Sequence, residues 1–292
     1  METIDVSIII LTKNAGSNFK PLLERLFSQE FNGEYEVLVI DSGSTNDTLN
    51  TAKQFPVRIT QIKPEEFHHG KTRNLGAQLS LGSALVYITQ DALPLNNQWL
   101  QKLVDNLKEP NVAMVCGRQI PWQTTKPPEK FFYVYNFPEH KIKVTLGASD
   151  YYHDNIFISN VNSAIRKDIW QQFRFSEKVI MVEDKEFAGR ILSAGWSIVY
   201  EPGAAVYHAH DFSLWQTFQR SCDSGIALSQ GAGGLPRSRN WIVRRLAQFV
   251  KEAQYITANN KRWWKWLPYS AAYETCKLTG IMVGLIKGKV IR

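Results

Sequence analysis

Cysteine is scarce in this 292-residue chain: only Cys116, Cys222 and Cys276 occur, far apart and without Cys/His ligand spacing. A disulfide framework and a zinc site are therefore not indicated, and a reducing cytosol fits. No apolar run reaches the length of a membrane span. The start, Met1-Glu-Thr-Ile-Asp5, lacks the basic segment of a secretory leader, so a cytoplasmic chain without a signal peptide is expected. Internal repeats and low-complexity tracts are missing too. Acidic residues are nearly missing from one stretch, Arg237 to Lys265, where Glu252 is the single acid among many Arg and Lys. Much of the net charge of +7 gathers there, interleaved with Trp241, Trp263, Trp264 and Trp266.

What is present fits one large α/β domain or a catalytic domain with an appendage. Val6 to Leu11 and Val37 to Ile40 read as buried strands, and Phe19, Leu22, Leu23, Leu26 and Phe27 give a helical period. Strands at 58–62, 84–88 and 112–115 follow, between helices at 45–54, 72–81 and 98–108. This alternation predicts a mostly parallel mixed sheet flanked by helices and joined by right-handed crossovers. From Ile120 to Asn155 prolines and aromatics dissolve the pattern, so a long, irregular, substrate-facing connection is expected. Order resumes near Phe157, with the segment Ser163 to Phe173, a helix over 183–194 and strands at 198–200 and 205–208. The glycine cluster Gly231 to Gly234 has no strand before it and no Gly-Lys-Ser/Thr after it, so it is a joint and not a phosphate loop. It divides residues 1–230 from a C-terminal helical appendage, 231–292.

Polar residues gather at the predicted strand ends, where an open α/β sheet holds its ligands. The first strand runs into Thr12-Lys13-Asn14 and the second into Asp41-Ser42-Gly43-Ser44. Asp41 suits a nucleotide base or ribose, although a lone strand-end Asp more often caps the next helix. Asp91 suits a divalent cation bridging diphosphate oxygens; alone, such a residue is more often part of a turn. In Tyr207-His208-Ala209-His210, strand alternation sends both imidazoles to one face. Mixed Asp/His ligation favours manganese, and the other reading is a pair of half-buried histidines. Glu183-Asp184 opens a helix, where carboxylates compensate the macrodipole or supply a general base. Lys71 and Arg73 begin another helix with charge suited to an anion. His68-His69 falls to a loop. The basic, tryptophan-rich stretch suits an anionic membrane surface. Nucleic acid ranks behind it because apolar Leu267 to Val290 follows, and packing with a solvated basic face is the bland reading.

Taken in order, these pieces resemble the family 2 inverting glycosyltransferases of the A-type, nucleotide-diphospho-sugar fold, over residues 4 to 225. The residues that carry the likeness are Val6-Ser-Ile-Ile-Ile-Leu-Thr-Lys-Asn14, Val39-Ile-Asp41-Ser-Gly-Ser44-Thr-Asn-Asp47-Thr48, Arg73-Asn74-Leu-Gly-Ala77, Asp91, Glu183-Asp184 and His208. Thr89-Gln-Asp-Ala-Leu-Pro94, Gly117-Arg118-Gln119, Ser159-Asn160 through Arg166 and Glu183-Asp184-Lys185 are similar to bacterial rhamnosyltransferases of that family.

The resemblance implies a catalytic domain in residues 1–230. It places Thr12, Asn14, Asp41 and Ser42 at the nucleotide, with Lys71 and Arg73 near the base or diphosphate. Asp91, His208 and His210 would hold Mn2+ or Mg2+, and Thr89 stands where the family's metal motif has its first carboxylate. Asp184 matches the general base, supported by Glu183. The implied reaction moves a sugar, L-rhamnose from dTDP-rhamnose, to an acceptor hydroxyl with inversion. The implied acceptor is a glycan or lipid-linked surface glycan, met by a cytoplasmic protein peripheral on the inner face of the plasma membrane, with no nucleic-acid partner. The alternative is a non-catalytic membrane-docked scaffold whose metal motif decayed, which the joint retention of Asp91, Asp184 and His208 opposes. A nucleotidyltransferase is disfavoured by the missing glycine-rich triphosphate loop.

Overall fold

Apolar side chains on both faces of the predicted strands call for helices on both sides of a sheet. In the computed structural model, which describes residues 4–146, 157–179, 181–229 and 241–290, the strands form one nine-stranded sheet. β1 (Val6–Thr12), β2 (Tyr35–Asp41), β3 (Arg58–Gln61) and β4 (Ala84–Ile88) are parallel, in the order β3-β2-β1-β4. The second half of the sheet holds β5 (Leu93–Pro94), β6 (Val112–Ile120), β7 (Ile142–Val144), β8 (Asn162–Arg166) and β9 (Ser197–Tyr207). β8 runs antiparallel between β4 and β6, and β6 is parallel to β9. β5 and β7 pair with β9 in antiparallel sense. The sheet is α/β and mixed, as expected, with β8, β5 and β7 running against the other six strands.

The helices are α1 (Phe19–Leu26), α2 (Thr48–Ala52), α3 (His69–Leu79), α4 (Trp99–Asp105), α5 (Pro127–Asn136), α6 (Lys167–Phe173), α7 (Glu183–Ser193), α8 (Leu214–Ser229), α9 (Trp241–Asn259) and α10 (Trp263–Val290). Alternation along the strands splits the core in two. Ile8, Ile10, Val37, Val39 and Val86 pack with Phe19, Leu22, Leu23 and Leu26 of α1. Ile9, Leu38, Ile40, Leu85 and Tyr87 point the other way and meet Trp170 of α6 and Phe187 of α7. Each such side chain, once buried, contributes about 1.5–3 kcal/mol.

Residues 120–155 depart most from expectation. β6 continues to Ile120, Pro127 and Pro128 open α5, and β7 follows, while 147–156 lie outside the described residues. Proline at the first helical positions forfeits no hydrogen bond and arrives with a helical φ, so the prolines that suggest a break are a helix start. The two strands expected at 198–200 and 205–208 are one strand, because a shift in the β6–β9 register absorbs Pro202 and Gly203 in a bulge. The joint at 231–236 lies outside the described residues. Beyond it, α10 runs along α8, and α9 and α10 both pack on α5. Among the described residues no helix is long and apolar enough to cross a membrane.

Candidate active site

Register brings the first group of polar residues together: Thr12 at the end of β1 lies opposite Asp41 at the end of β2. Asp41 is fully buried. Its carboxylate accepts from Gly43 N (3.1 Å), Ser44 N (2.9 Å), Ser44 Oγ and Thr12 Oγ1 (3.2 Å). Gly43, at φ 84°, lets the chain fold back over that carboxylate. Ser42 Oγ donates to the Thr12 carbonyl (3.0 Å), and Asn14 Oδ1 accepts from Thr45 N (2.8 Å). Thr12, Asn14, Asp41 and Ser42 thus form one hydrogen-bonded network, in which Asp41 shapes the turn as a capping residue does. Gln90 ties the network to the next loop, accepting from Lys13 N (3.0 Å) and donating to Lys13 O (3.2 Å).

One residue beyond Gln90, a cleft of about 740 Å³ opens. Asp91, His208, His210, Glu183, Asp184 and Arg73 all line it. Asp91 Oδ1 lies 3.7 Å from His208 Nε2, and Asp91 Oδ2 lies 3.6 Å from His210 Nδ1. One ligand atom from each of the three falls within 4.8 Å of the others. With its proton on Nδ1, shared with Gln119 Oε1 at 2.9 Å, His208 turns its Nε2 lone pair toward Asp91. Burial pushes the His208 pKa down to about 4, against the pull of Asp91, and also lowers that of His210. Both imidazoles are neutral near pH 7 and able to ligate. Thr89 Oγ1, also on the cleft, is buried without a hydrogen-bond partner among the described residues. One carboxylate, two neutral imidazoles and an idle hydroxyl fit a divalent cation with positions left for phosphate oxygens and water.

α7 supplies the acids. Val182, just before it, has φ 61°, a left-handed conformation that costs a β-branched residue on the order of 1–3 kcal/mol. Glu183 is buried and forms a salt bridge with Arg73 of α3, itself buried. Asp184 Oδ2 accepts from Asn160 N (3.2 Å) and Oδ1 from Lys185 N (2.8 Å). Burial first, and the neighbouring Glu183 second, raise the Asp184 pKa. A raised pKa brings a carboxyl closer to the working range of a general base.

Not every residue singled out from the sequence reaches the cleft. Lys71 is exposed and absent from the cleft lining, and its backbone N–H is capped by His68 Nδ1 at 3.4 Å. The pair His68-His69, expected in a loop, caps and opens α3 instead, and both line the cleft. His69 packs edge-on against Phe67 (5.0 Å between ring centroids), and burial takes its pKa down to about 4. Its sequence signal is its place directly before the helical Gly70-Lys71-Thr72. Gln119 and Arg220 also line the cleft. Arg220 has no local signal, because α8 brings it in from outside the sheet.

Residues 7–173 match the family described as Glycosyl transferase family 2. The O-antigen chain rhamnosyltransferase WbaN of Salmonella anatum is 30% identical over 289 residues, which cover 95% of this chain and 88% of that protein. The O-antigen chain rhamnosyltransferase RfbN of Salmonella typhimurium is 28% identical over 291 residues, 96% of this chain and 89% of that one. In fold, the chain is similar to a mannosyltransferase from Pyrobaculum calidifontis, solved with GDP-Man and Mn2+, at a TM-score of 0.62 and 15% identity. That likeness covers 97% of this chain and 86% of the other.

Proposed function

Because the chain belongs to glycosyl transferase family 2, we propose that it transfers L-rhamnose from dTDP-rhamnose to an acceptor hydroxyl, with inversion of configuration. The observation that carries this reading is the convergence of Asp184 with Asp91, His208 and His210 on one cleft, from three separate parts of the chain. Asp184 takes the proton of the acceptor hydroxyl. The acceptor oxygen then attacks the anomeric carbon from the side opposite the nucleoside diphosphate, the bond to the diphosphate oxygen breaks, and no covalent enzyme intermediate forms. Arg73, its charge balanced by Glu183, is held on the cleft wall with guanidinium N–H groups for the leaving diphosphate. A divalent cation, Mn2+ or Mg2+, held by Asp91, His208 and His210, would act there as a Lewis acid toward phosphate oxygens.

Thr12, Asn14, Asp41 and Ser42 shape the nucleotide side of the site, and residues 1–230 make up the catalytic part. The rhamnosyl donor is supported by the names of the two Salmonella relatives. A lipid-linked surface glycan as acceptor, and a cytoplasmic location peripheral to the inner face of the plasma membrane, are supported by the basic, tryptophan-rich C-terminal region.

Product analysis with dTDP-, UDP- and GDP-sugars and manganese tests the proposal. Release of dTDP from dTDP-rhamnose with a rhamnosylated acceptor is expected. Pyrophosphate release instead would make the chain a nucleotidyltransferase, and no turnover with any donor would favour the scaffold.

A further inference from the structure

α10 has two unlike faces. Toward α8 it presents Gly280, Gly284 and Gly288, where an added Cβ would meet Phe218 O at 2.6 Å, Cys222 O at 2.0 Å and Ser229 Oγ at 1.8 Å. A Cβ on Gly225 of α8 would meet Ile281 O at 2.4 Å. The two backbones touch along this glycine seam, as in closely packed membrane helices. On the other side, Trp264, Ala271, Thr275, Thr279, Met282 and Ile286 recur at helical spacing, and all are exposed. None is charged. Trp264 and Met282 are each 55% exposed and Ile286 is 64% exposed.

The threonine hydroxyls of this stripe are already spent. Thr275 Oγ1 donates to Ala271 O (2.8 Å) and Thr279 Oγ1 to Thr275 O (2.7 Å), inside the helix. Glu274 and Lys277, the charges in the middle of α10, pair with each other and are largely buried. From Trp264 to Ile286 the stripe runs about 33 Å. Exposed basic residues bracket it, with Lys261, Arg262 and Lys265 at one end and Lys287 and Lys289 at the other.

We propose that this stripe lies on an anionic lipid bilayer, with α10 parallel to the membrane plane and its apolar side chains at headgroup depth. A helix with an uncharged face and basic flanks binds in this way. A second copy of the chain fits less well, because pairing along the stripe in either direction sets one basic end beside another. The proposal deepens the reading of a lipid-linked acceptor and rests on it for its purpose. α9 and α10 dock on α5 through Phe131–Tyr255 (5.6 Å between rings) and Lys126 Nζ above the Tyr269 ring (5.7 Å). Glu129 of α5 accepts from the backbone N of His210 at 2.9 Å. The docked face and the candidate metal cluster thus share one support.

The test is flotation of the full chain with vesicles of phosphatidylcholine, alone or mixed with phosphatidylglycerol. The chain should float with the anionic vesicles, and Met282→Glu combined with Ile286→Glu should lower the bound fraction about tenfold or more. Lys261→Gln, Arg262→Gln and Lys265→Gln together should weaken binding and flatten its salt dependence. All five positions are exposed, and circular dichroism checks that each variant is folded. Unchanged binding by the glutamate variant overturns the proposal. So does a wild-type chain that ignores anionic vesicles, or one that sediments as a dimer which the glutamate variant makes monomeric. Nucleoside diphosphate release with a water-soluble acceptor is measured in parallel. If transfer persists while vesicle binding fails, the docking surface falls alone; if vesicle binding holds while transfer fails, the catalytic reading falls instead.

Discussion

At the ends of β1 and β2 the polar groups have found partners in one another, whereas around the ends of β4, β9 and the start of α7 several have not. Asp41, Thr12, Ser42 and Asn14 spend their hydrogen bonds on one turn. Across Gln90, by contrast, Thr89 Oγ1 and Asn160 Nδ2 are buried without partners among the described residues, and Asp184, His208 and His210 have displaced pKa values. Buried polar groups are ordinarily satisfied, so unsatisfied and perturbed ones together mark where a ligand completes the site. The first group, which lies beside the cleft and not in its lining, is complete before any ligand arrives. The second is left incomplete, and chemistry is expected there.

The largest effect is expected at Asp184. Asp184→Asn should lower kcat by about 10²- to 10⁴-fold, the usual worth of general-base help, while calorimetry shows donor affinity kept. Its raised pKa also places the acid limb of the wild-type pH–rate profile above the ordinary aspartate range, since the base works only when deprotonated. Wild-type turnover in the asparagine variant would remove the base assignment.

Next in size is Arg73→Met, which leaves Glu183 buried without its cation and should destabilise the fold by about 3–5 kcal/mol in urea unfolding. Lys71→Met, at the exposed neighbour, should change stability by no more than about 0.5 kcal/mol. Equal effects would erase the contrast between the two cations.

Gln119→Leu removes the acceptor that orients His208, and Mn2+ affinity measured by calorimetry should fall about 10- to 100-fold. The same substitution leaves the Asp41 network untouched, so dTDP binding without metal should not change.

The smallest expected effect is at Glu129, whose pKa burial raises to about 7. A carboxyl raised in the folded state stabilises the fold while protonated, and that contribution fades as pH rises from its unfolded value of 4.5 through 7. Glu129→Gln keeps the acceptor for His210 N without the charge. Its melting temperature relative to wild type should therefore rise between pH 5 and pH 8. His69 and His208 titrate alike in both proteins and cancel from the difference. A difference that is flat with pH would show that Glu129 stays ionised.

Legibility in the sequence follows the range of the interactions. β1 to β4, β6, α1 and α3 follow from apolar period, which is local, whereas β5 and β7 are too short to show one and His208 and His210 lie just past the end of β9. α5 is hidden because Pro127 and Pro128 carry the same local signal for a loop and for a first helical turn, and packing against α9 and α10 decides between them. His69 is hidden because its weight comes from Phe67 and the cleft wall. Arg220 is hidden because no pattern in α8 tells which side of that helix meets a cleft.

By itself the sequence determined the alternating α/β order, the polar strand ends and the residue types offered to a nucleotide, a cation and a proton, because these depend on near neighbours and on period. Tertiary structure alone decided that Asp91, Asp184 and His208 share one cleft, that Asp41 is spent on its own turn and that α10 keeps an uncharged face outward. Those outcomes depend on which surfaces meet across long stretches of chain, and burial there sets both the pKa values and the hydrogen bonds left unmade.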